Sequence, residues 1–254
     1  MSERTPFICG NWKLHYGVEE TRAVLRELVG HLDALGGLEV GIAPVTTTLF
    51  AAVEVAKGTA LRIAAQNVHF ESKGAFTGEW SVAHLAELAV THAIVGHSER
   101  RQYFGETDEG VGRKVRALFD GGLVPIACCG ELLEERERGE TLAVVSRQVE
   151  AILAHISAEE AQRLVIAYEP VWAIGTGKTA TAAQAQEAHA AIRQLVGQRH
   201  GAAAAAKVRI QYGGSVKPEN ARELMAQPDV DGALVGGASL KPSDFLAICR
   251  AAVG

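Results

Sequence analysis

The fold of this 254-residue chain is decided by short apolar runs such as Leu164-Val165-Ile166-Ala167-Tyr168, which carries no charged side chain. A near-continuous apolar run of this length is typical of a strand in a parallel sheet that is buried on both faces. Similar runs occur at residues 7–10, 38–43, 61–65, 92–95, 124–128, 208–212 and 232–235. The repetition predicts a parallel sheet built from these runs.

The segments between the runs have apolar side chains at helical spacing, for example in residues 18–32 and 111–119. Eight units of strand and helix within about 250 residues fit a closed barrel better than an open doubly wound sheet. Residues 1–254 are therefore predicted to form one α/β domain, a single-domain (β/α)8 barrel.

Composition narrows the classes of function. The formal net charge is −5, and the sequence contains no block of basic residues. This argues against a nucleic acid or an anionic membrane as the partner. No apolar stretch approaches the roughly 18 residues of a membrane span, and the polar residues 1–6 lack a signal-peptide run.

The cysteines Cys9, Cys128, Cys129 and Cys249 do not have the spacing of a metal site. Adjacent cysteines rarely bridge each other, so all four are interpreted as reduced thiols of a cytoplasmic protein. Neither a metal nor a cofactor is expected.

Polar side chains follow several of the predicted strands. Asn11 and Lys13 come after the first strand, His97 after the fourth, and Glu169 ends the sixth. In a parallel barrel all these strand ends meet at one rim, where such barrels place their active sites. A carboxylate, an imidazole and an ammonium group are therefore expected to converge there, and no other cation is identified on this rim.

Each of these residues also has an ordinary interpretation. A strand-end glutamate is more often ion-paired or solvated, but Glu169 precedes a proline and the apolar Val171 and Trp172, and desolvation makes a carboxylate a stronger base. His97 alone would be a packed histidine. Because it precedes a helix start, a neutral imidazole that donates a hydrogen bond is expected instead. Lys13 would by default be a surface lysine, but its place after a strand directs it to the rim.

Two glycine clusters are suited to a phosphate group. Gly213-Gly214-Ser215 follows the seventh predicted strand, and Gly236-Gly237 follows the eighth. Glycine lets backbone N–H groups approach an anion closely, and barrels often bind phosphate after these two strands. Either cluster alone could be a tight turn, but together they predict a phosphate site.

The connection over residues 66–80 is long and has no helical pattern, and loops of this length are usually functional. It contains Val68, Phe70, Phe76 and Trp80, with no pattern that would bury them within their own subunit. A second subunit is therefore expected to cover them. The other long connection is residues 170–179.

Six segments, taken in order, resemble the triosephosphate isomerase family across essentially the whole chain. They are residues 10–13, 74–79, 96–101, 168–177, 212–216 and 234–240, of which 168–177 is the most specific. The resemblance implies the TIM barrel fold and the reversible interconversion of dihydroxyacetone phosphate and D-glyceraldehyde 3-phosphate through an enediolate. That reaction belongs to glycolysis and gluconeogenesis.

The resemblance also implies roles for individual residues. Glu169 would be the base and His97 the electrophile, and the family is itself the standard example of this pairing. Lys13 and Asn11 would stabilise oxyanion and phosphate charge, with Ser98 and Glu99 in support. The backbone N–H groups implied to hold the phosphate are those of Gly175, Ser215, Gly236 and Gly237. Residues 170–180 would close over the site as a lid.

The same resemblance implies a homodimer in which residues 66–80 enter the neighbouring subunit. Thr77 at the loop tip would reach toward the partner subunit's Asn11 and the partner's Lys13. Trp80 departs from the family pattern, where a smaller aliphatic residue is usual, and Leu14 stands where methionine is common.

Two alternatives stay open at this point. Another phosphate-binding barrel enzyme, such as an aldolase or an isomerase of another sugar phosphate, would share this rim. A Schiff-base aldolase needs a lysine within a barrel strand, whereas Lys13 lies beyond its strand and Lys207 at the start of one. A non-catalytic sugar-phosphate-binding barrel would require a lost base or lid, and both are present.

Overall fold

A computed structural model describes residues 4–174 and 179–253. Its strands are β1 (Phe7–Asn11), β2 (Glu39–Ala43), β3 (Arg62–Ala65), β4 (His92–Val95), β5 (Val124–Cys129), β6 (Val165–Tyr168), β7 (Arg209–Tyr212) and β8 (Gly232–Val235). They pair in parallel in sequence order, and β1 also pairs with β8, which closes the barrel. The predicted (β/α)8 architecture is confirmed, and the strand bounds differ from the apolar runs by one residue at most.

Helices surround the barrel and are α1 (Val18–Val29), α2 (Leu49–Ala56), α3 (Val82–Glu87), α4 (Ser98–Phe104), α5 (Asp108–Asp120), α6 (Leu133–Glu137), α7 (Thr141–Leu153), α8 (Ala158–Ala161), α9 (Ala182–His200), α10 (Ala202–Lys207), α11 (Pro218–Met225) and α12 (Pro242–Ala251). The helix predicted from residues 18–32 ends earlier, because Gly30 follows α1 and glycine disfavours helix continuation. A separate 3-10 turn, Leu32–Ala34, follows it. No helix in the described ranges is long and apolar enough to cross a membrane.

Strand alternation decides which side chains face the barrel axis. Val165 and Ala167 of β6 belong to the cluster that fills the barrel interior, whereas Ile166 and Tyr168 pack in the outer layer against the helices. Successive strand residues point to opposite faces. Glu169, directly after β6, therefore continues the interior face at the carboxyl end of the barrel.

The loop at residues 66–80 differs in part from its prediction. Val68 is fully buried in the core of its own subunit, and Trp80 packs against that core and donates from Nε1 to the Asn67 carbonyl at 2.8 Å. The expectation that these two side chains lack burial in their own subunit is wrong. The loop tip fits the prediction better, because residues 72–79 are exposed and Phe76 retains 42% of its accessible surface.

Candidate active site

A cavity of about 490 Å³ opens at the carboxyl ends of the strands. The rim residues predicted from sequence that line it are Asn11, Lys13, His97, Glu169, Ser215, Gly236 and Gly237. They come from five different strand ends, so closure of the barrel is what brings them together. Gly175 lies outside the described residues.

Glu169 is 1% exposed and is held by groups at the start of α4. Its Oε2 accepts a hydrogen bond from the Ser98 backbone N–H at 2.9 Å, and its Oε1 accepts from the Ser98 hydroxyl at 3.3 Å. Oε1 is also 3.0 Å from Nε2 of His97. Gly213 makes room for this carboxylate, since a Cβ at that position would lie 2.8 Å from Glu169 Cγ.

Opposing influences act on the basicity of Glu169. Burial raises the pKa of the carboxyl, but the charge and hydrogen bond of His97, the Ser98 N–H and the Lys13 charge lower it, and the net direction is down. Burial alone therefore does not make this carboxylate a stronger base while it is bound to Ser98. A carboxylate that moved away from Ser98 and His97 toward a ligand would lose these stabilising contacts, and its pKa would rise.

His97 precedes α4 as its N-cap residue, and its ring nitrogens have different partners. Nδ1 accepts a hydrogen bond from the Glu99 backbone N–H at 3.2 Å, which requires an unprotonated Nδ1. This network assigns the proton of a neutral ring to Nε2, which then donates to Glu169. Burial lowers the pKa of His97, but the charge and hydrogen bond of Glu169 raise it, and the net direction is up. The neutral ring expected from the helix start is therefore not favoured while Glu169 is in contact, and it would become favoured when Glu169 moves away.

Lys13 adopts a left-handed backbone conformation, with φ 50°, that its neighbours fix. Its N–H donates to the Asn11 side chain at 3.0 Å, and its carbonyl accepts from the Gln66 side chain at 2.8 Å. Lys13 Nζ lies 2.5 Å from Glu99 Oε1. A Cβ added to Gly236 would lie 3.5 Å from Lys13 Cε, so the ammonium stem runs along the glycine turn after β8.

Three residues of this region were not identified as site residues from the sequence. Gln66 donates to the carbonyls of Lys13 and Ala43 and thereby joins the ends of β1, β2 and β3. Lys217 is a second cation that lines the cavity, which corrects the expectation that Lys13 has no companion on this rim. Both follow predicted strands, so the strand-end criterion used for the other residues could have found their positions, although not the contacts that Gln66 makes.

The third residue, Glu131, follows β5 and is fully buried. Its carboxylate accepts hydrogen bonds from the Tyr168 hydroxyl, at 3.1 and 3.2 Å, and from Nε1 of Trp172 at 2.9 Å. Its carbonyl accepts from the Val171 N–H at 3.1 Å. Glu131 therefore anchors the beginning of the connection that leaves Glu169.

Known proteins that are similar to this chain belong to one family. The triosephosphate isomerase family model matches residues 6–252. A triosephosphate isomerase of Carboxydothermus hydrogenoformans is 54% identical over 250 residues, which cover 98% of this chain and 100% of that one. One of Pelobacter propionicus is 55% identical over 242 residues, covering 95% and 96%. One of Streptococcus agalactiae is 53% identical over 245 residues, covering 96% and 97%.

Proposed function

The chain belongs to the triosephosphate isomerase family, and on that premise we propose that Glu169 and His97 carry out its proton transfers. The protein is an isomerase that interconverts dihydroxyacetone phosphate and D-glyceraldehyde 3-phosphate. The observation that supports the proposal is the buried contact between Glu169 and His97 at 3.0 Å, on the wall of a cavity that Lys13 and two glycine turns also line.

In the proposed mechanism Glu169 removes the proton from one substrate carbon and returns it to the neighbouring carbon. Its present contacts with Ser98 and His97 stabilise the carboxylate, so substrate that draws it away would increase its basicity. Once Glu169 is drawn away, Nε2–H of a neutral His97 would be free to polarise the substrate carbonyl and to move protons between the two oxygens. Lys13 supplies positive charge where the enediolate oxygen develops negative charge.

The phosphate group is proposed to bind at the part of the cavity wall that the two glycine turns form. Ser215, Gly236 and Gly237 line that part of the wall, and a Cβ added at Gly237 would meet no atom within 4 Å. This open space in front of the backbone suits an anion held by N–H groups. Gly175, a further proposed phosphate ligand, and part of the proposed lid at residues 170–180 fall outside the described residues.

The proposed function is tested by measuring conversion of D-glyceraldehyde 3-phosphate with a coupled assay that consumes dihydroxyacetone phosphate. Purified protein should give turnover that falls by at least ~10²–10⁴-fold when Glu169 is replaced by Gln and is retained when a residue far from the cavity is replaced. Absence of turnover by folded wild-type protein would contradict the assignment. Trapping of a substrate adduct by borohydride would favour a Schiff-base aldolase instead.

Replacing His97 with Gln should lower turnover by roughly 10²-fold or more, comparable to the loss of one preorganised oxyanion donor. The reason is that the Nε2–H donor is removed while Glu169 and Lys13 remain. The direct measurement is the carbonyl stretch of bound dihydroxyacetone phosphate in infrared spectra. If the stretch is shifted equally in wild type and variant, His97 does not polarise the carbonyl.

We also propose a homodimer formed through residues 66–80. The exposure of residues 72–79, including Phe76 and Thr77, supports a surface that a second copy covers. A symmetric pair of such loops gives a closed twofold assembly. The proposed position of Thr77, beside the partner subunit's Asn11 and the partner's Lys13, would couple assembly to activity.

Replacing Thr77 with Arg tests this proposal. A charge buried in the interface without a counter-charge costs on the order of several kcal/mol. The variant should dissociate at micromolar concentration and lose activity as it does so. Sedimentation and assay on one dilution series measure both effects, with Gln198→Arg on the exposed face of α9 as a matched control. A fully active monomer, or a dimer with normal kinetics, would rule out this interface.

A cytoplasmic location is likewise a proposal. All four cysteines are free and buried thiols, as expected in a reducing compartment. Burial raises the pKa of each of them, so they are protonated and weakly nucleophilic at neutral pH.

A further inference from the structure

A second cavity, of about 650 Å³, lies at the opposite end of the barrel, where the strands begin. The first residues of several strands form its floor, among them Glu39 of β2, Arg62 of β3 and Arg209 of β7. Segments that lead into strands complete the wall with Arg4, Arg163 and Lys207. The described residues that line this cavity are all different from those of the active-site cavity.

The charge of this cavity is opposite in sign to that of the whole protein. Its cationic side chains are Arg4, Arg62, Arg163, Lys207 and Arg209, and Glu39 is the one carboxylate among the described residues that line it. The chain as a whole has a formal net charge of −5. A concave surface lined by one sign of charge concentrates its field, so this cavity attracts anions although the protein does not.

The carboxylate does not neutralise its neighbours, because Glu39 is shared by two guanidinium groups. Its Oε1 lies 3.0 Å from Arg62 Nε, and its Oε2 contacts Arg209 Nη1. Glu39 also lies near buried His92, whose Nε2 is 3.9 Å from it. Burial is the largest influence and lowers the pKa of His92 to about 4; Glu39 raises the pKa, and the smaller effects of Arg209 and Arg62 lower it.

The remaining cations differ in their partners. Arg4 is paired with Asp231 at 2.6 Å. Arg163 and Lys207 are exposed, and within residues 4–174 and 179–253 no carboxylate lies in ion-pair distance of either. Arg163 and Lys207 at the cavity edge are therefore available to bind an anionic ligand. On the floor of the cavity, two guanidinium groups share the single carboxylate of Glu39.

We propose that this cavity is a binding site for a compact anion that carries two or more phosphate groups. Guanidinium groups match the oxygens of phosphate in paired hydrogen bonds, and lysine adds a mobile point charge. The described lining residues include no aromatic side chain on which a base could stack, because Phe7 and Phe119 lie behind Arg209 and Arg163. The ligand is therefore a small polyphosphorylated molecule rather than a nucleotide.

Inorganic tripolyphosphate is the probe for this site, titrated calorimetrically into the full chain at low ionic strength. Wild-type protein should bind it more tightly than orthophosphate, and the affinity should fall as salt is added. Bound ligand should also raise the melting temperature, since it stabilises only the folded state. Failure of the wild-type protein to bind, or equal affinity for orthophosphate and tripolyphosphate, would overturn the proposal.

Variants locate the bound anion. The double variant Arg163→Gln with Lys207→Gln should weaken tripolyphosphate binding at least about tenfold and leave kcat for triose phosphate unchanged. Arg26→Gln with Arg250→Gln removes the same charge from exposed positions outside the cavity and should bind as wild type does. Lys13→Ala should also bind normally. Loss of binding in Lys13→Ala but not in the cavity variant would place the anion at the active site and overturn the proposal.

Discussion

Replacing Glu169 with Gln should lower turnover by at least ~10²–10⁴-fold while phosphate-analogue binding is largely retained. The amide has almost the same shape as the carboxylate, and its oxygen can still accept the Ser98 N–H that now binds Glu169 at 2.9 Å. What the variant lacks is a group that accepts a proton from carbon. The loss should therefore appear in kcat, with little change in the inhibition constant of a phosphorylated analogue.

The matched control is Glu219→Gln, because Glu219 is an exposed carboxylate that lines the same cavity. Both variants remove one negative charge from the cavity, so an effect of local charge alone would appear in both. Glu219→Gln should keep turnover within about tenfold of wild type. Near wild-type turnover in Glu169→Gln would contradict the proposed mechanism, regardless of the turnover of Glu219→Gln.

Replacing Lys13 with Ala should abolish measurable activity, which means a loss of about 10³-fold or more, and should weaken binding of phosphorylated analogues. The ammonium lies between Glu99 and the glycine turn after β8. It is therefore placed to meet negative charge on both the enediolate and the phosphate. Initial rates and the inhibition constant of a phosphorylated analogue measure the two effects separately.

Lys217 provides the control for this experiment, since it is an exposed cation on the wall of the same cavity. If a general positive field were sufficient, Lys217→Ala and Lys13→Ala would have similar consequences. We expect Lys217→Ala to change the rate by less than about tenfold, because an exposed charge is screened by water and salt. Unchanged analogue inhibition in Lys13→Ala would show that its ammonium does not face the ligand.

The fold was predictable because apolar runs and strand ends are local features. The apolar run that ends at Tyr168 predicted strand β6, and the end of that strand placed Glu169 at the rim of the barrel. The same reasoning predicted that Asn11, Lys13 and His97 lie at this rim, and the structure places all three on the wall of one cavity. Their convergence needs parallel strands, which the repetition of the runs predicts, and a closed barrel, which the repetition favours and the pairing of β1 with β8 shows.

Some contacts of the site and its surroundings could not be predicted, because they depend on which residues become neighbours in the folded barrel. Gln66 has a role because β1, β2 and β3 are adjacent, so its amide reaches two carbonyls at once. Val68 is buried because the beginning of the loop packs within the core of its own subunit. The pKa of Glu169 was expected to follow burial, but its direction is set by His97 and Ser98, which lie far from it in sequence.

The central claim, proton transfer through an enediolate by Glu169, is tested most directly by isomerisation in D2O. Wild-type protein should convert D-glyceraldehyde 3-phosphate to dihydroxyacetone phosphate with deuterium on carbon in part of the product, as seen by proton NMR, because a proton held on Glu169 exchanges with solvent. Glu169→Gln should give neither conversion nor exchange at a comparable rate. Full conversion by wild type without any deuterium on carbon, even after many turnovers, would contradict the predicted exchange of the proton held on Glu169 and would leave a direct hydride shift between the carbons as the rival explanation.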